Sequence, residues 1–160
     1  MPTTSADTII RGVTAREVFD FLADYRNIAR IQPQFTSVKL VSEIERGLGA
    51  VMELQGKFRG MPMEVRSRII TFTPPRRIVS IIEGTVLSRN TWELEELDTD
   101  PPSTRVNTIV DYKVGGPLGK FFTGIASSLF HRELESMTRE SLRLLEECLT
   151  VRDQGLGSRG

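Results

Sequence analysis

The spacing of the hydrophobic residues changes along the chain from helical to alternating and then back to helical. After a short first strand, "SADTIIRGV", the segment "TAREVFDFLAD" has one apolar face. It begins with Thr14, and Glu17 follows three residues later, so a helix with a capping box is predicted. The segment "DYRNIARIQP" predicts a second short helix, with Asp24 as its N-cap and Pro33 as its stop.

From Pro33 onward the apolar residues alternate with polar ones, as on strands that bury one face. Short turns such as "ERGLG", "PPRR" and "DTDPPS" separate the alternating segments, which predicts an antiparallel meander with one wet face and one covered face. The six segments are "FTSVKLVSEI", "AVMELQGKF", "MEVRSRIITF", "IVSIIEG", "VLSRNTWELEEL" and "TRVNTIVDYKV".

The last apolar pattern, which contains "GPLGKFFTGIASSLFHRELESM", predicts the longest helix and therefore the cover of the sheet. We expect this helix to begin near Pro117 and to end near Cys148, a length of roughly 45 Å. Its inward stripe is bulky at one end and small at the other, which predicts free space beneath the small end. The bulky residues are Phe130, Leu134 and Met137, and the small ones are Gly119, Thr123, Ala126 and Ser127.

Length and charge narrow the class of protein. A chain of 160 residues favours one domain, which we place at residues 1–150, followed by a disordered tail at residues 151–160. The 21 basic residues balance the 21 acidic ones, so no nucleic-acid partner is expected. We expect a cytoplasmic protein, since the one cysteine fits a reducing compartment and the first residues lack a secretory signal pattern. No apolar run is long enough for stable membrane insertion.

Few residues suggest a metal site, a cofactor site or a catalytic centre. His131 is the only histidine, and we expect it on the helix surface beside Glu135. Cys148 is expected to be a small buried hydrophobic residue. The sequence "GGPLG" matches no phosphate-binding loop, so we predict neither a metal nor a cofactor.

Most carboxylates fall on the polar face of the predicted sheet. Glu93, Glu95 and Glu96 lie mainly opposite Trp92 and Leu94 and are expected in solvent. The charged residues Glu53, Glu64 and Arg66 are also expected to be exposed. A one-residue error in strand phase would turn them towards the helix instead.

The inward polar residues are the best candidates for a binding site. A few polar groups on an apolar concave wall can orient a small molecule, although each could also bond to a neighbouring backbone group. Trp92 is a candidate for either the core or a ligand platform, and the methionines are adaptable fillers of either. The predicted cavity lining is Met52, Leu54, Met63, Val65, Ser67, Ser88, Asn90, Trp92, Tyr112, Phe122, Thr123, Ala126, Ser127 and Phe130.

A second apolar face of the last helix carries Phe121, Ile125 and Leu129. It could pack on the first helices or the strand-end loops, close the mouth of the cavity, or contact a membrane or a second copy of the chain. Transient membrane contact and a monomeric or homodimeric state are therefore both compatible with the sequence.

The element order and several motifs resemble the START-like superfamily, which includes birch-pollen allergens, polyketide cyclases and lipid-transfer proteins. The resemblance covers about residues 7 to 148, and its most characteristic parts are the "PPRRI" turn and the hairpin "TWELEELDTDPPSTRV". The segment "SVKLVSEIERGLG" is similar to the coenzyme-Q-binding branch as well. The resemblance implies a helix-grip fold of the α+β class. In this fold a curved antiparallel meander sheet of six or seven strands wraps around a long C-terminal helix, and an apolar cavity lies between them.

Three functions are compatible with this sequence. The first is binding or transport of a hydrophobic small molecule such as a lipid, a quinone or a polyketide-like compound. The second is a cyclase or aromatase that acts on a ligand in the same cavity, for which Tyr112, Arg66 or Glu64 could supply a proton-transferring group. The third is a protein-interaction module that uses the second apolar face of the helix.

Overall fold

The computed structural model describes the backbone of residues 2–113 and 125–159, and the side chains of residues 2–113 and 128–150. Within this part, the helices are α1 (Ala15–Ala23), α2 (Ile28–Ile31) and α3 (Ile125–Arg159), and a 3₁₀ turn spans Tyr25–Asn27. The strands are β1 (Thr3–Arg11), β2 (Phe35–Leu40), β3 (Val51–Phe58), β4 (Met61–Thr73), β5 (Arg77–Gly84), β6 (Leu87–Leu97) and β7 (Ser103–Lys113).

The strands form one antiparallel sheet in the order β1-β7-β6-β5-β4-β3-β2. Strands β2 to β7 pair with their neighbours in sequence, which confirms the predicted meander, and β1 pairs along its whole length with β7. The register shifts between Phe35 and Ser37 and between Ile69 and Thr71, and such bulges bend a strand. The long helix lies across one face, so the predicted α+β helix-grip class is confirmed.

Strand phase follows the alternation in the sequence. On β4, Met63, Val65 and Ser67 are buried, while Glu64 and Arg66 between them are exposed. Arg66 donates to Glu53 on β3 at 2.6 Å, on the outer face of the sheet. The charged residues of β3 and β4 therefore do not point towards the helix.

Helix α1 begins with the predicted capping box. The amide of Glu17 donates to Oγ1 of Thr14 at 3.1 Å, and the Glu17 carboxylate accepts from the Thr14 amide. Glu96 of β6 accepts from the Ala15 amide at 2.9 Å, so this carboxylate bonds to the start of α1. Glu96 is exposed, as predicted, and the hydrogen bond is an additional contact, because an unpaired amide at a helix start attracts a nearby carboxylate.

The predicted second helix consists of the 3₁₀ turn and the single turn α2. Asp24 caps the 3₁₀ turn as expected, because its Oδ1 accepts from the amide of Arg26 at 3.0 Å. The chain after α2 then runs against β3, where the Lys57 amide donates to the Gln34 carbonyl at 3.0 Å. A Cβ at Gly56 would lie 1.9 Å from that carbonyl oxygen, so only glycine permits this approach.

The C-terminal helix α3 covers the sheet, with its closest packing along β1. The backbone is helical from Ile125 to Arg159, so it continues beyond the predicted end at Cys148. The predicted start near Pro117 and the small residues Gly119 and Thr123 lie outside the described residues, as do the side chains of Ala126 and Ser127. The single domain at 1–150 and the disordered tail at 151–160 stay predictions.

The hydrophobic core fills one part of the space between sheet and helices. Phe19 of α1, Ile10 of β1 and Leu145 of α3 are fully buried there, together with Leu54 of β3. Cys148 is half-buried and packs against this core. Beyond it, towards the N-terminal part of α3, the two layers enclose a cavity.

Candidate functional site

The cavity lies between the inner face of the sheet and α3, and its volume is about 110 Å³. One water molecule needs about 10–15 Å³ on this scale, so there is room for several waters or for part of an organic molecule. Strands β4 to β7 supply most of the wall, the segment after α2 closes one side, and α3 covers the top. The described lining residues are Gln32, Gln34, Phe35, Phe58, Met61, Pro62, Met63, Val65, Ile82, Thr85, Val86, Ser88, Asn90, Trp92, Thr108, Val110, Tyr112, Phe130, Leu134, Met137, Thr138 and Ser141.

Aromatic rings hold one side of the cavity together. The ring of Phe130 on α3 lies 5.3 Å from the rings of both Phe58 and Tyr112, in tilted contacts. Such ring pairs add about 0.5–1.5 kcal/mol beyond the area they bury. Phe130 therefore joins the start of α3 to β3 and β7 beside the cavity.

Tyr112 and His131 form a hydrogen-bonded pair at this end of the helix. The Tyr112 hydroxyl lies 2.5 Å from Nδ1 of His131, and the two atoms share one hydrogen. Tyr112 is buried and lines the cavity, whereas His131 is half-exposed and is not part of the lining. Burial raises the pKa of Tyr112, so the hydroxyl stays protonated at neutral pH.

The expected surface pair of His131 with Glu135 is wrong. Glu135 accepts instead from Arg139 at 2.9 Å, and His131 turns towards β7. A helix position next to the inward residue Phe130 can reach either the surface or the sheet, and the sequence spacing alone does not distinguish the two.

Further polar groups line the wall on β6. The Ser88 hydroxyl donates to Oδ1 of Asn90 at 3.2 Å, and Ser88 lies directly opposite Tyr112 in the sheet. Trp92 is 9% exposed and forms the next inward position of the same strand. Asn90 and Tyr112 are diagonal neighbours, a separation that long side chains bridge.

Seven predicted lining residues border the cavity in the structure, namely Met63, Val65, Ser88, Asn90, Trp92, Tyr112 and Phe130. Met52, Leu54 and Ser67 are also buried on the inner face, but they are not part of the lining. Met52 pairs with Ser67, and both lie further along the sheet towards the core. Phe122 and Thr123 and the side chains of Ala126 and Ser127 lie outside the described residues.

Sequence reasoning missed the side of the cavity formed by loops. Gln32 and Gln34 follow α2, and Thr85 and Val86 form the β5–β6 turn. These residues show no periodicity in the sequence. The position of the segment after α2 depends on its close approach to Gly56, and the position of the β5–β6 turn depends on the bond from the Thr85 hydroxyl to the Glu64 carbonyl. Ile82 and Thr108 share the inward strand phase and could have been found from the alternation.

Large apolar side chains are exposed at the end of the molecule where β4 and β6 begin. Met61 is 41% exposed and also lines the cavity, Leu87 is 43% exposed, and Leu129 on α3 is 46% exposed. Leu129 therefore does not pack fully into the chain, while Phe121 and the side chain of Ile125 lie outside the described residues.

Two features are absent from the described residues. No group of three or more histidine, cysteine or acidic side chains is placed to hold a metal ion. No helix in the described part of the chain is long and apolar enough to cross a membrane.

The fold and the cavity place the protein in the START-like helix-grip class, and comparison with known proteins gives the family. Residues 1–146 match the model of a family described as "Polyketide cyclase / dehydrase and lipid transport", and the chain belongs to this family. A search of curated proteins found no match to the chain.

Solved structures share the fold at low sequence identity. The protein TTHA0849 from Thermus thermophilus is 17% identical with a TM-score of 0.77, over 94% of this chain and 99% of that one. The Zhui aromatase/cyclase from Streptomyces sp. R1128 is 19% identical with a TM-score of 0.74, over 91% and 92% of the two chains. A START superfamily protein from Mycobacterium smegmatis is 13% identical with a TM-score of 0.60, over 86% and 97%.

Proposed function

We propose that the protein binds a hydrophobic small molecule in the cavity between the sheet and α3, as a carrier or ligand-binding module. The observation that carries this proposal is the cavity itself, which is walled mainly by apolar and aromatic side chains, with hydroxyl and amide groups between them. Ligand sites commonly have this composition, because apolar burial gives affinity and a few polar groups fix orientation.

The family description is compatible with this proposal, since it includes lipid transport. The same description includes cyclases, so it supports ligand binding and cyclase activity equally. We expect a cytoplasmic monomer or homodimer that has no nucleic-acid partner, given the zero net charge. The exposed residues Met61, Leu87 and Leu129 would allow transient contact with a membrane or a partner.

A neutral fluorescent probe tests the proposal directly. We expect N-phenyl-1-naphthylamine to bind, with an increase in its own emission and quenching of Trp92, the only tryptophan and a wall residue. Native mass spectrometry of the purified protein would in addition show any ligand carried over from expression.

A pair of variants on one strand locates the binding. Val110→Phe places a ring in the cavity and should weaken probe binding at least about tenfold, because the ring occupies the volume that the probe needs. Ile109→Phe, on the opposite face of β7, is the matched control and should bind like the wild type. Equal affinity in both variants, or no probe binding by the wild type, would contradict the proposal.

The second candidate is an enzyme, and the Tyr112–His131 pair is the observation that favours it. With Nδ1–H of His131 donating to Tyr112, the phenolic proton could pass to the oxygen of a ligand carbonyl while water removes a proton from the adjacent carbon, which gives the enol. Nδ1 of His131 could then return a proton to the Tyr112 phenolate as the proton taken by water passes through solvent to Nε2 of the half-exposed imidazole. This chemistry would belong to the cyclase side of the family description.

Deuterium exchange separates the two candidates. An enzyme of this kind should accelerate exchange of the methyl protons of 2-acetylnaphthalene in D₂O, measured by NMR, and Tyr112→Phe should abolish the acceleration while N-phenyl-1-naphthylamine still binds. If the wild type binds 2-acetylnaphthalene without accelerating its exchange, the enzyme candidate fails and the carrier remains.

A further inference from the structure

The cavity wall contains no ionisable charge among its described residues. Every described lining residue is apolar, aromatic, an amide or a hydroxyl, and none is Asp, Glu, Lys, Arg or His. The charged pair of Arg66 on β4 with Glu53 on β3 lies on the outer face of the sheet, away from the helix. A buried carboxylate or phosphate would therefore lose its hydration without gaining a counter-charge from the described wall, which is unfavourable.

The wall does contain hydrogen-bond donors that have no partner among the described residues. Oδ1 of Asn90 accepts from Ser88, and no described residue accepts either hydrogen of the Asn90 amide nitrogen. The indole N–H of Trp92 likewise has no partner in the described part of the chain, although the residue is only 9% exposed. Neither nitrogen is fully buried, and both residues line the cavity.

The hydroxyl of Tyr112 is already engaged. It shares one hydrogen with Nδ1 of His131 at 2.5 Å, so it is held in place and keeps hydrogen-bonding capacity towards the cavity. The sheet wall of the cavity thus offers donors on β6 that have no partner among the described residues and a fixed hydroxyl on β7, with Ser88 and Tyr112 opposite each other in the sheet.

We propose that the cavity selects an electrically neutral, mostly apolar ligand that has a hydrogen-bond-accepting oxygen such as a ketone, and that Asn90 donates to that oxygen. This inference rests on the proposed function and adds the chemical class of the ligand. It excludes fatty acids, phosphate esters and other anions from binding with their charged group in the cavity.

Four matched compounds test the class, each in competition with N-phenyl-1-naphthylamine near pH 7. Naphthalene has no polar group, 2-acetylnaphthalene adds a neutral acceptor oxygen, 2-naphthol adds a hydroxyl, and 2-naphthoate adds a negative charge. We expect 2-acetylnaphthalene to bind about fivefold more tightly than naphthalene, since a hydrogen bond to a free donor contributes about 1 kcal/mol. The anion should bind at least about tenfold more weakly than the ketone.

Variants at Asn90 assign the donor. Asn90→Leu removes the amide at similar size and should abolish the advantage of 2-acetylnaphthalene over naphthalene. Its naphthalene affinity should stay within about twofold of the wild type, which verifies that the cavity is intact. Asn90→Ser restores a donor in case the leucine variant does not fold, and it should retain part of the advantage.

The outcomes separate this inference from the proposed function. If N-phenyl-1-naphthylamine binds but 2-naphthoate competes as well as 2-acetylnaphthalene, ligand binding stands and the preference for neutral ligands is wrong. If the ketone advantage persists in Asn90→Leu, the role of Asn90 is wrong. If neither the probe nor any of the four compounds binds, both the inference and the proposed function fail.

Discussion

At the scale of single residues, Tyr112 has the most informative environment in the site. Its ring packs on Phe130, its hydroxyl bonds to His131, and its side chain forms part of the cavity wall. The strand phase of Tyr112 could be predicted from the sequence, because Tyr112 lies between Asp111 and Lys113 and shares its phase with Val110. Its partner could not, since the bond to His131 depends on the rotation of a helix about its own axis.

The ionisation of Tyr112 gives a residue-scale prediction. Burial raises its pKa above the ordinary value of 10.0, because the charged phenolate is poorly solvated there. The contribution of Tyr112 to stability is therefore fully present below about pH 10. It decreases as the pH rises through the higher pKa of the folded state, where the unfolded chain has already released its proton.

Absorbance at 295 nm in the variant Tyr25→Phe measures this ionisation, because Tyr112 is then the only tyrosine. We expect its midpoint to lie above pH 10, with circular dichroism to verify that the protein is still folded. The same titration of Tyr112→Phe, which retains only Tyr25, is the control. A midpoint for Tyr112 at or below 10 would contradict the burial argument.

At the scale of elements, the start of α1 was predictable in detail, because a capping box is a local pattern of four residues. Thr14→Ala should reduce the free energy of unfolding by about 1 kcal/mol, since the Glu17 amide loses its acceptor. Urea unfolding measures the change, and Ser136→Ala at an exposed position of α3 is the control, expected to stay within about 0.5 kcal/mol of the wild type. Equal effects in the two variants would contradict a capping role for Thr14.

The junction between α2 and β3 is an element-scale feature that the sequence did not reveal. Gly56 shows no special spacing, and its need for hydrogen in place of a side chain comes from a carbonyl that lies 22 residues earlier in the chain, at Gln34. Close backbone approaches of this kind arise from tertiary structure, so local sequence patterns do not predict them.

Gly56→Ala should therefore destabilise the protein by more than about 2 kcal/mol, because its Cβ would lie 1.9 Å from the Gln34 oxygen and the backbone would have to move. The same substitution at Gly60 meets no atom within 4 Å but requires a positive φ of 81°, which costs about 1 kcal/mol. Urea unfolding of the two variants therefore compares the cost of a steric clash at Gly56 with the cost of backbone strain at Gly60. A smaller loss at Gly56 than at Gly60 would show that the junction can relax.

At the scale of the whole molecule, the layer arrangement was predictable and the shape of the cavity was only partly so. Alternation in β4, β6 and β7 identified Val65, Trp92 and Tyr112 as inward residues, and all three line the cavity. Met52 and Leu54 have the same inward phase but lie over the core, because phase specifies a face of the sheet and not a position along it. The loops that close the cavity have no period to detect.

A protein that keeps an internal space for a ligand gives up packing that would stabilise it, and this trade-off can be measured on α3. Ser141 is 7% exposed, lines the cavity and has no hydrogen-bond partner among the described residues. Ser141→Leu should fill part of the space and raise the free energy of unfolding by about 1 kcal/mol. The same variant should lose binding of N-phenyl-1-naphthylamine, since the leucine occupies the volume that the probe needs.

Ser136→Leu, on the exposed face of the same helix, is the control and should change neither the stability nor the probe affinity. Urea unfolding and probe titration of both variants test the trade-off, and a Ser141→Leu protein with unchanged probe affinity would show that the ligand does not occupy this cavity.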